Sequence, residues 1–244
     1  MPDYITPDWP APANVHAAST TRQGGVSKSS YDSFNLALHV EDDSVDVAAN
    51  RRTLREDLSL PSEPFWLEQV HSAIAVEAGS EQRRADACWS SEAGQVCAVM
   101  TADCLPLLFC DRQGTRVAAC HAGWRGLVNG VIPATVDCFE EAEDLLVWLG
   151  PAIGAAAFQV GKDVYDAVIA LDAHHAAAFE QQDDEHWLCD IYRVARGVLE
   201  NCGVSAVYGG DDCTHDDADR FFSYRRDGAC GRMASLIWRD PEAC

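Results

Sequence analysis

The order of apolar and polar positions divides this chain into strands and helices with no internal repeat. Val15–Thr20 predicts a short strand, followed by a polar loop over residues 22–27. Ser44–Leu58 places Val45, Ala48, Ala49, Leu54 and Leu58 at helical spacing, with Asp43 or Ser44 as N-cap. Trp66–Val76 alternates as a strand that carries His71. Cys97–Thr101, Leu105–Cys110 and Thr115–His121 are three further strands. The tetrapeptide Asp111-Arg-Gln-Gly114 between the last two is a turn signal, which predicts a β-hairpin. Trp124–Glu140 reads as a helix that Pro133 kinks or delays. Leu145–Leu149, Val204–Tyr208 and Met233–Trp238 complete the strands. Lys162–Leu171 and Ile191–Asn201 are helices, the latter with Asp190 as N-cap and Gly203 just past its end. Strands and helices mix without a βαβ rhythm, and no linker is long enough to separate domains. The expectation is an α+β fold, one domain over residues 1–244 with mixed β-sheets flanked by helices.

The hairpin carries a chemical inference. With Asp111–Gly114 as its loop, Cys110 pairs with Thr115 and Cys104 faces His121, their Cβ atoms about 4.5–5.5 Å apart. Cys120 then turns to the other face, opposite Leu105. A thiolate beside an imidazole makes either a Cys–His nucleophile pair or two ligands of a metal. His71 is the candidate third ligand. Two His and one Cys around Zn²⁺ leave a fourth position open to water, the form of a catalytic site. Alone, His71 or His121 reads as a hydrogen-bonded core histidine, so the juxtaposition carries the idea. His174 and His175 read as solvated on an Ala-rich helical stretch, His186 as loop, and His215 as a capping or solvated residue. Arg22, Arg125 and the Arg225-Arg226 pair lie in Gly- or aromatic-flanked loops, where guanidinium groups hold anions.

Composition narrows the partners. Among 244 residues, 18 Lys+Arg stand against 39 Asp+Glu, a formal charge of −21. Such acidity excludes nucleic acid as a partner, because phosphate neutralisation needs a basic surface. Only Lys28 and Lys162 are lysine, so an anionic substrate needs a local arginine cluster. No apolar run spans a bilayer, and residues 1–12 have neither the basic nor the apolar region of a secretory leader. The 11 cysteines show no CxxC spacing, and Cys97, Cys110, Cys138, Cys189 and Cys202 read as small buried hydrophobes. A cytoplasmic, reduced protein is expected.

A set of motifs then falls in order: Thr20-Thr-Arg-Gln-Gly-Gly-Val-Ser27, Phe34-Asn-Leu36, Asn50-Arg51, Gln69-Val-His71, Ala85-Asp86, Met100-Thr-Ala-Asp-Cys-Leu-Pro-Leu107 and His121-Ala-Gly-Trp-Arg-Gly126. Leu149-Gly-Pro-Ala-Ile-Gly154, Gly209-Gly210 with Cys213-Thr214, and Phe222-Ser-Tyr-Arg-Arg226 with Gly231-Arg232 follow. This run, over residues 15–239, resembles the bacterial YfiH family. That family is also called the laccase-domain or polyphenol-oxidase family and is described as purine nucleoside phosphorylases. The resemblance implies an α/β sandwich and a zinc site formed by His71, Cys104 and His121. It implies phosphorolysis of adenosine, inosine, guanosine and methylthioadenosine, with deamination of adenosine as a second activity. By motif position Arg22 is assigned to phosphate, with Arg51 and Arg225 behind it. Asn35 is assigned to ribose or base, and Asp103, beside the candidate catalytic Cys104 and His121, to a proton. Cys120, Pro133 and His215 depart from the family pattern.

Three other readings compete. A peptidoglycan-precursor editing amidase, which the resemblance also implies, would use the same site. Copper suits a His₂Cys donor set, but eight histidines without a His-x-His pair do not build a laccase-type trinuclear cluster. A non-catalytic zinc-stabilised binding protein would need Cys213 or His215 as a closing fourth ligand.

Overall fold

A computed structural model describes residues 2–240. The first half runs β1 (Tyr4–Ile5), β2 (Val15–Thr20), α1 (Ser44–Asp57), β3 (Ala75–Glu77), β4 (Ala87–Ser90), β5 (Val96–Thr101), β6 (Leu105–Asp111) and β7 (Val117–Ala122). There follow α2 (Trp124–Asn129), α3 (Val131–Val136), β8 (Leu145–Leu149), β9 (Gln159–Gly161), α4 (Lys162–Ile169), β10 (Phe179–Gln181) and β11 (His186–Cys189). The chain closes with α5 (Ile191–Asn201), β12 (Ala206–Gly209), α6 (Tyr224–Asp227) and β13 (Met233–Arg239).

Strand parity sorts these elements into layers. In β6, Leu105, Leu107 and Phe109 pack toward the helices, against Ile132, Val194 and Leu199. Leu108 and Cys110, on the other face, pack against Val99 and Ile237. That second face meets another sheet, so the six-stranded sheet β12-β8-β6-β7-β4-β3 lies between helices and the four-stranded sheet β1-β2-β13-β5. The far side of the four-stranded sheet is covered by Phe34 and Leu36 from the segment before α1 and by Leu54 of α1. Burial of each such side chain contributes about 1.5–3 kcal/mol. A small sheet β10-β11-β9 completes the fold. The β12–β8 and β3–β4 pairs are parallel and the others antiparallel, the mixed arrangement expected of one α+β domain.

The hairpin forms, but its register is corrected. Leu105 faces Ala122 and Pro106 faces His121, so Cys104 stands diagonal to His121 rather than opposite it. Asp111 belongs to the strand: its carboxylate accepts from the Thr115 N–H at 2.7 Å and from the Thr115 hydroxyl, which moves the turn one residue along. The displacement shifts facing pairs by two, so parity survives. Cys120 does lie on the opposite face from His121, though paired with Leu107.

Two predicted elements are replaced. The segment 66–74 is irregular, because the backbone N–H groups of Val70, His71 and Ser72 all turn onto the Asp86 carboxylate instead of joining a ladder. The predicted helix over 124–140 is two short helices divided at Gly130, whose φ of 96° is left-handed. Pro133 sits in the first turn of α3, where its missing N–H costs nothing. By contrast α5 spans the predicted residues, and the Asp190 carboxylate accepts from the Arg193 N–H at 2.9 Å. The strand β4 and the small sheet lie in short segments without clean alternation.

Candidate metal centre

Between β5 and β6 the chain leaves one sheet and enters the other, and residues 102–104 make that crossing. Asp103 holds a φ of 90°, costly for a residue with a side chain. Its carboxylate accepts from Thr214 Oγ1 at 2.6 Å and from the Arg225 N–H at 2.7 Å, and its carbonyl accepts from the Ile153 N–H. This corner puts Cys104 at the mouth of the hairpin, near His121 on β7.

His71 reaches the same place from the irregular segment. Its φ of 59° is held by the buried Asp86 carboxylate, which accepts from three successive N–H groups and from Ser72 Oγ. The same carboxylate accepts from His121 Nδ1 at 2.9 Å, leaving Nε2 of that ring as the free donor atom. One side chain thus fixes the backbone of one histidine and the tautomer of the other.

The three donor atoms of His71, Cys104 and His121 lie within 4.8 Å of one another. Cys104 Sγ is 3.8 Å from His71 Nε2, and the two imidazole rings stand edge to face with centroids 4.8 Å apart. Gly123 makes the space: a Cβ there would lie 2.8 Å from Cys104 Sγ and 2.9 Å from His71 Cδ2. Burial pushes the Cys104 thiol up, but the charges and hydrogen bonds of His121 and His71 outweigh it and bring it down to about 6. Burial opposes charge on His121 as well, yet Cys104 and Asp86 raise it to about 9. Hydrogen bonds from His121 and Ser72 hold Asp86 below the usual carboxylate range against the opposing effect of burial. Two imidazoles and a readily ionised thiol, converging on a space cleared by a glycine, fit a metal ion.

The cluster is the floor of a cleft of about 480 Å³, a size that suits a small-molecule ligand. Trp124, Phe158 and Tyr224 supply aromatic walls, and Arg125, Arg225, Arg232 and His39 supply polar ones. Gln69 lines it with its amide paired to the Met100 backbone, through bonds of 2.8 Å in both directions.

Of the residues assigned from sequence, His71, Cys104, His121, Asp103 and Arg225 meet in this cleft. Arg22, Asn35 and Arg51 do not line it. Arg22 donates to the carbonyls of Asp32 and Ala218. Asn35 is fully buried, tying Ala37, Asp42 and Arg232 together. Arg51 donates to the Leu36 carbonyl and lies over the Trp66 ring. Cys213 accepts from the Gly154 N–H and His215 pairs with Asp216, both away from the cleft lining, so neither closes the cluster. His175 is a correction: it is 6% exposed rather than solvated, while His174 is open to solvent. Cys97, Cys110 and Cys189 are buried as expected, whereas Cys138 and Cys202 are half-buried. The Ala85-Asp86 motif does not by itself reveal the role that the Asp86 carboxylate plays here. The signal it offered was a lone acid beside an apolar strand.

A family model described as multi-copper polyphenol oxidoreductase laccase matches residues 16–240. The chain is 53% identical to the purine nucleoside phosphorylase YfiH of Escherichia coli (strain K12), over 98% of this chain and 99% of that protein. It is 54% identical to a purine nucleoside phosphorylase of Pseudomonas aeruginosa, with the same coverage. Among solved structures, Neisseria meningitidis protein NMB0706 superposes with a TM-score of 0.93 at 49% identity, covering 97% of this chain and 99% of that one. YlmD from Geobacillus stearothermophilus superposes with a TM-score of 0.89 at 31% identity, covering 93% of each.

Proposed function

The chain belongs to that laccase-like family, and we propose that it is a purine nucleoside phosphorylase. Its substrates in this reading are adenosine, inosine, guanosine and methylthioadenosine, and it deaminates adenosine as a second activity. The observation that carries the reading is the position of the His71–Cys104–His121 cluster, on the floor of a cleft walled by aromatic rings and arginines. The names of the relatives support it.

His71, Cys104 and His121 would hold the metal, zinc in this reading, with copper the other ion the donor set suits. When bound, such an ion supplies Lewis acidity. The chain's own residues do the rest. Asp86 keeps the His121 proton on Nδ1 and fixes the His71 backbone. In phosphorolysis a phosphate oxygen bonds to ribose C1′ while the C1′–N9 bond breaks. Its electron pair goes to the purine, which takes up a proton. The flat faces of Trp124, Phe158 and Tyr224 receive the base. Arg225 faces phosphate, its backbone anchored by Asp103. Because both Asp103 oxygens already accept hydrogen bonds, we assign that residue to positioning Arg225 rather than to moving a proton.

Laccase-type oxidation is not favoured, since among the described residues this trio is the one group of three or more donors placed for a metal. The test is product analysis of the zinc-loaded protein with adenosine, with and without phosphate. Adenine and ribose 1-phosphate formed only with phosphate are expected, with inosine reporting deamination. Absence of all three products overturns the reading.

A further inference from the structure

The cleft gathers positive charge in a chain whose formal charge is −21. Its one lining carboxylate, Asp103, is occupied on both oxygens by Thr214 and by the Arg225 N–H. The three lining arginines are not equally free. Arg225 donates Nη1 to the Gln159 carbonyl at 2.9 Å, and Arg232 donates Nη1 to the Cys230 and Gly231 carbonyls at 2.7 and 3.0 Å. Arg125 is exposed, with its guanidinium carbon 4.4 Å from the centre of the Trp124 ring. Among the described residues, its side chain makes no hydrogen bond or ion pair. His39 does not compete for the role. Burial, with Arg232 and Arg51 nearby, holds it below its ordinary range, so it is neutral at neutral pH.

We propose that Arg125 is the principal phosphate ligand of this cleft. The assignment rests on the phosphorylase reading above and adds to it the residue that recruits the second substrate. A guanidinium offers five donors in a rigid plane and pairs two of them with adjacent phosphate oxygens. Arg125 keeps all five available, and its stacking on Trp124 limits the rotamers it must give up. It stands two residues after Gly123, beside which Cys104 and His71 pack, and it lines the same cleft as the cluster. The repulsive charge of the whole molecule is screened beyond about 8–10 Å at ordinary ionic strength. A local cation with no carboxylate competitor therefore decides whether phosphate stays.

The test compares wild type with Arg125→Ala, Arg125→Lys and Arg112→Ala. The last removes one positive charge from the turn after β6, at the opposite end of that strand from Cys104. Arg125 is exposed, so its truncation leaves the core intact. Steady-state phosphorolysis of inosine is measured, together with calorimetric titration of inorganic phosphate. In Arg125→Ala the KM for phosphate is expected to rise at least tenfold with the KM for inosine unchanged within twofold. Arg125→Lys should fall between the two, and Arg112→Ala should match wild type. If Arg125→Ala uses and binds phosphate as wild type does, the assignment is overturned while the phosphorylase reading stands. If wild type forms no ribose 1-phosphate, that reading falls and the titration decides. Phosphate binding that depends on Arg125 then upholds the site, and equal or absent binding overturns it.

Discussion

Asp86 carries more of the site than any residue its size suggests. It is fully buried and accepts five hydrogen bonds, three of them from consecutive backbone N–H groups. Asp86→Asn keeps the shape but removes the charge and turns one acceptor into a donor. It should cost about 3 kcal/mol or more in unfolding free energy, as for a buried ion pair losing one partner. Chelator competition should show metal affinity lowered by roughly 10- to 100-fold. Since its folded pKa is depressed, the stability Asp86 contributes is full above the ordinary carboxylate value of 3.8 and is lost only as pH falls through its lower folded value. The Cys104–His121 pair titrates the other way round from free residues. In metal-free protein, alkylation of Cys104 should rise with a midpoint near pH 6, and His121→Ala should move that midpoint up toward the ordinary 9. A midpoint unmoved by His121→Ala contradicts the pairing. The trio was legible in sequence because thiol and imidazole are rare and chemically distinctive. Asp86 was not, because a carboxylate among 39 acidic residues shows its partners only after folding. Asn35 and Arg51 were assigned by motif position, which does not show that their side chains bond to the backbone of neighbouring segments.

At the scale of elements, long patterned segments were readable and short ones were not. Helix α5 has a capped, amphipathic sequence that fixes both ends, whereas 66–76 alternates as a strand yet folds around a single carboxylate. The hairpin shows why a register error can leave a site intact: a shift of two residues keeps every side chain on its face. The split at Gly130 rather than Pro133 follows from where each residue sits in its turn. Gly123 is a different case, since its φ of −64° is open to any residue and only the space is special. Gly123→Ala should therefore fold cooperatively but lose metal, measured as bound zinc per chain after dialysis. A variant that keeps stoichiometric zinc would show that the cluster tolerates the added methyl.

The whole molecule sets charge against chemistry. A formal charge of −21 destabilises the compact state by self-repulsion, and salt screens it. The thermal midpoint should rise as sodium chloride is added from low to physiological ionic strength, and a flat or falling midpoint would contradict this. Against that field, the His71–Cys104–His121 group, three arginines and three aromatic rings meet at the corner where the chain passes between two sheets. Among the described residues no helix is long and apolar enough to cross a membrane. If the His71–Cys104–His121 cluster is the reaction centre, Cys104→Ser should suppress turnover without unfolding the chain. The serine variant should unfold cooperatively yet form ribose 1-phosphate from inosine roughly a hundredfold more slowly or worse. Wild-type turnover by Cys104→Ser would show that the reaction does not depend on the cluster.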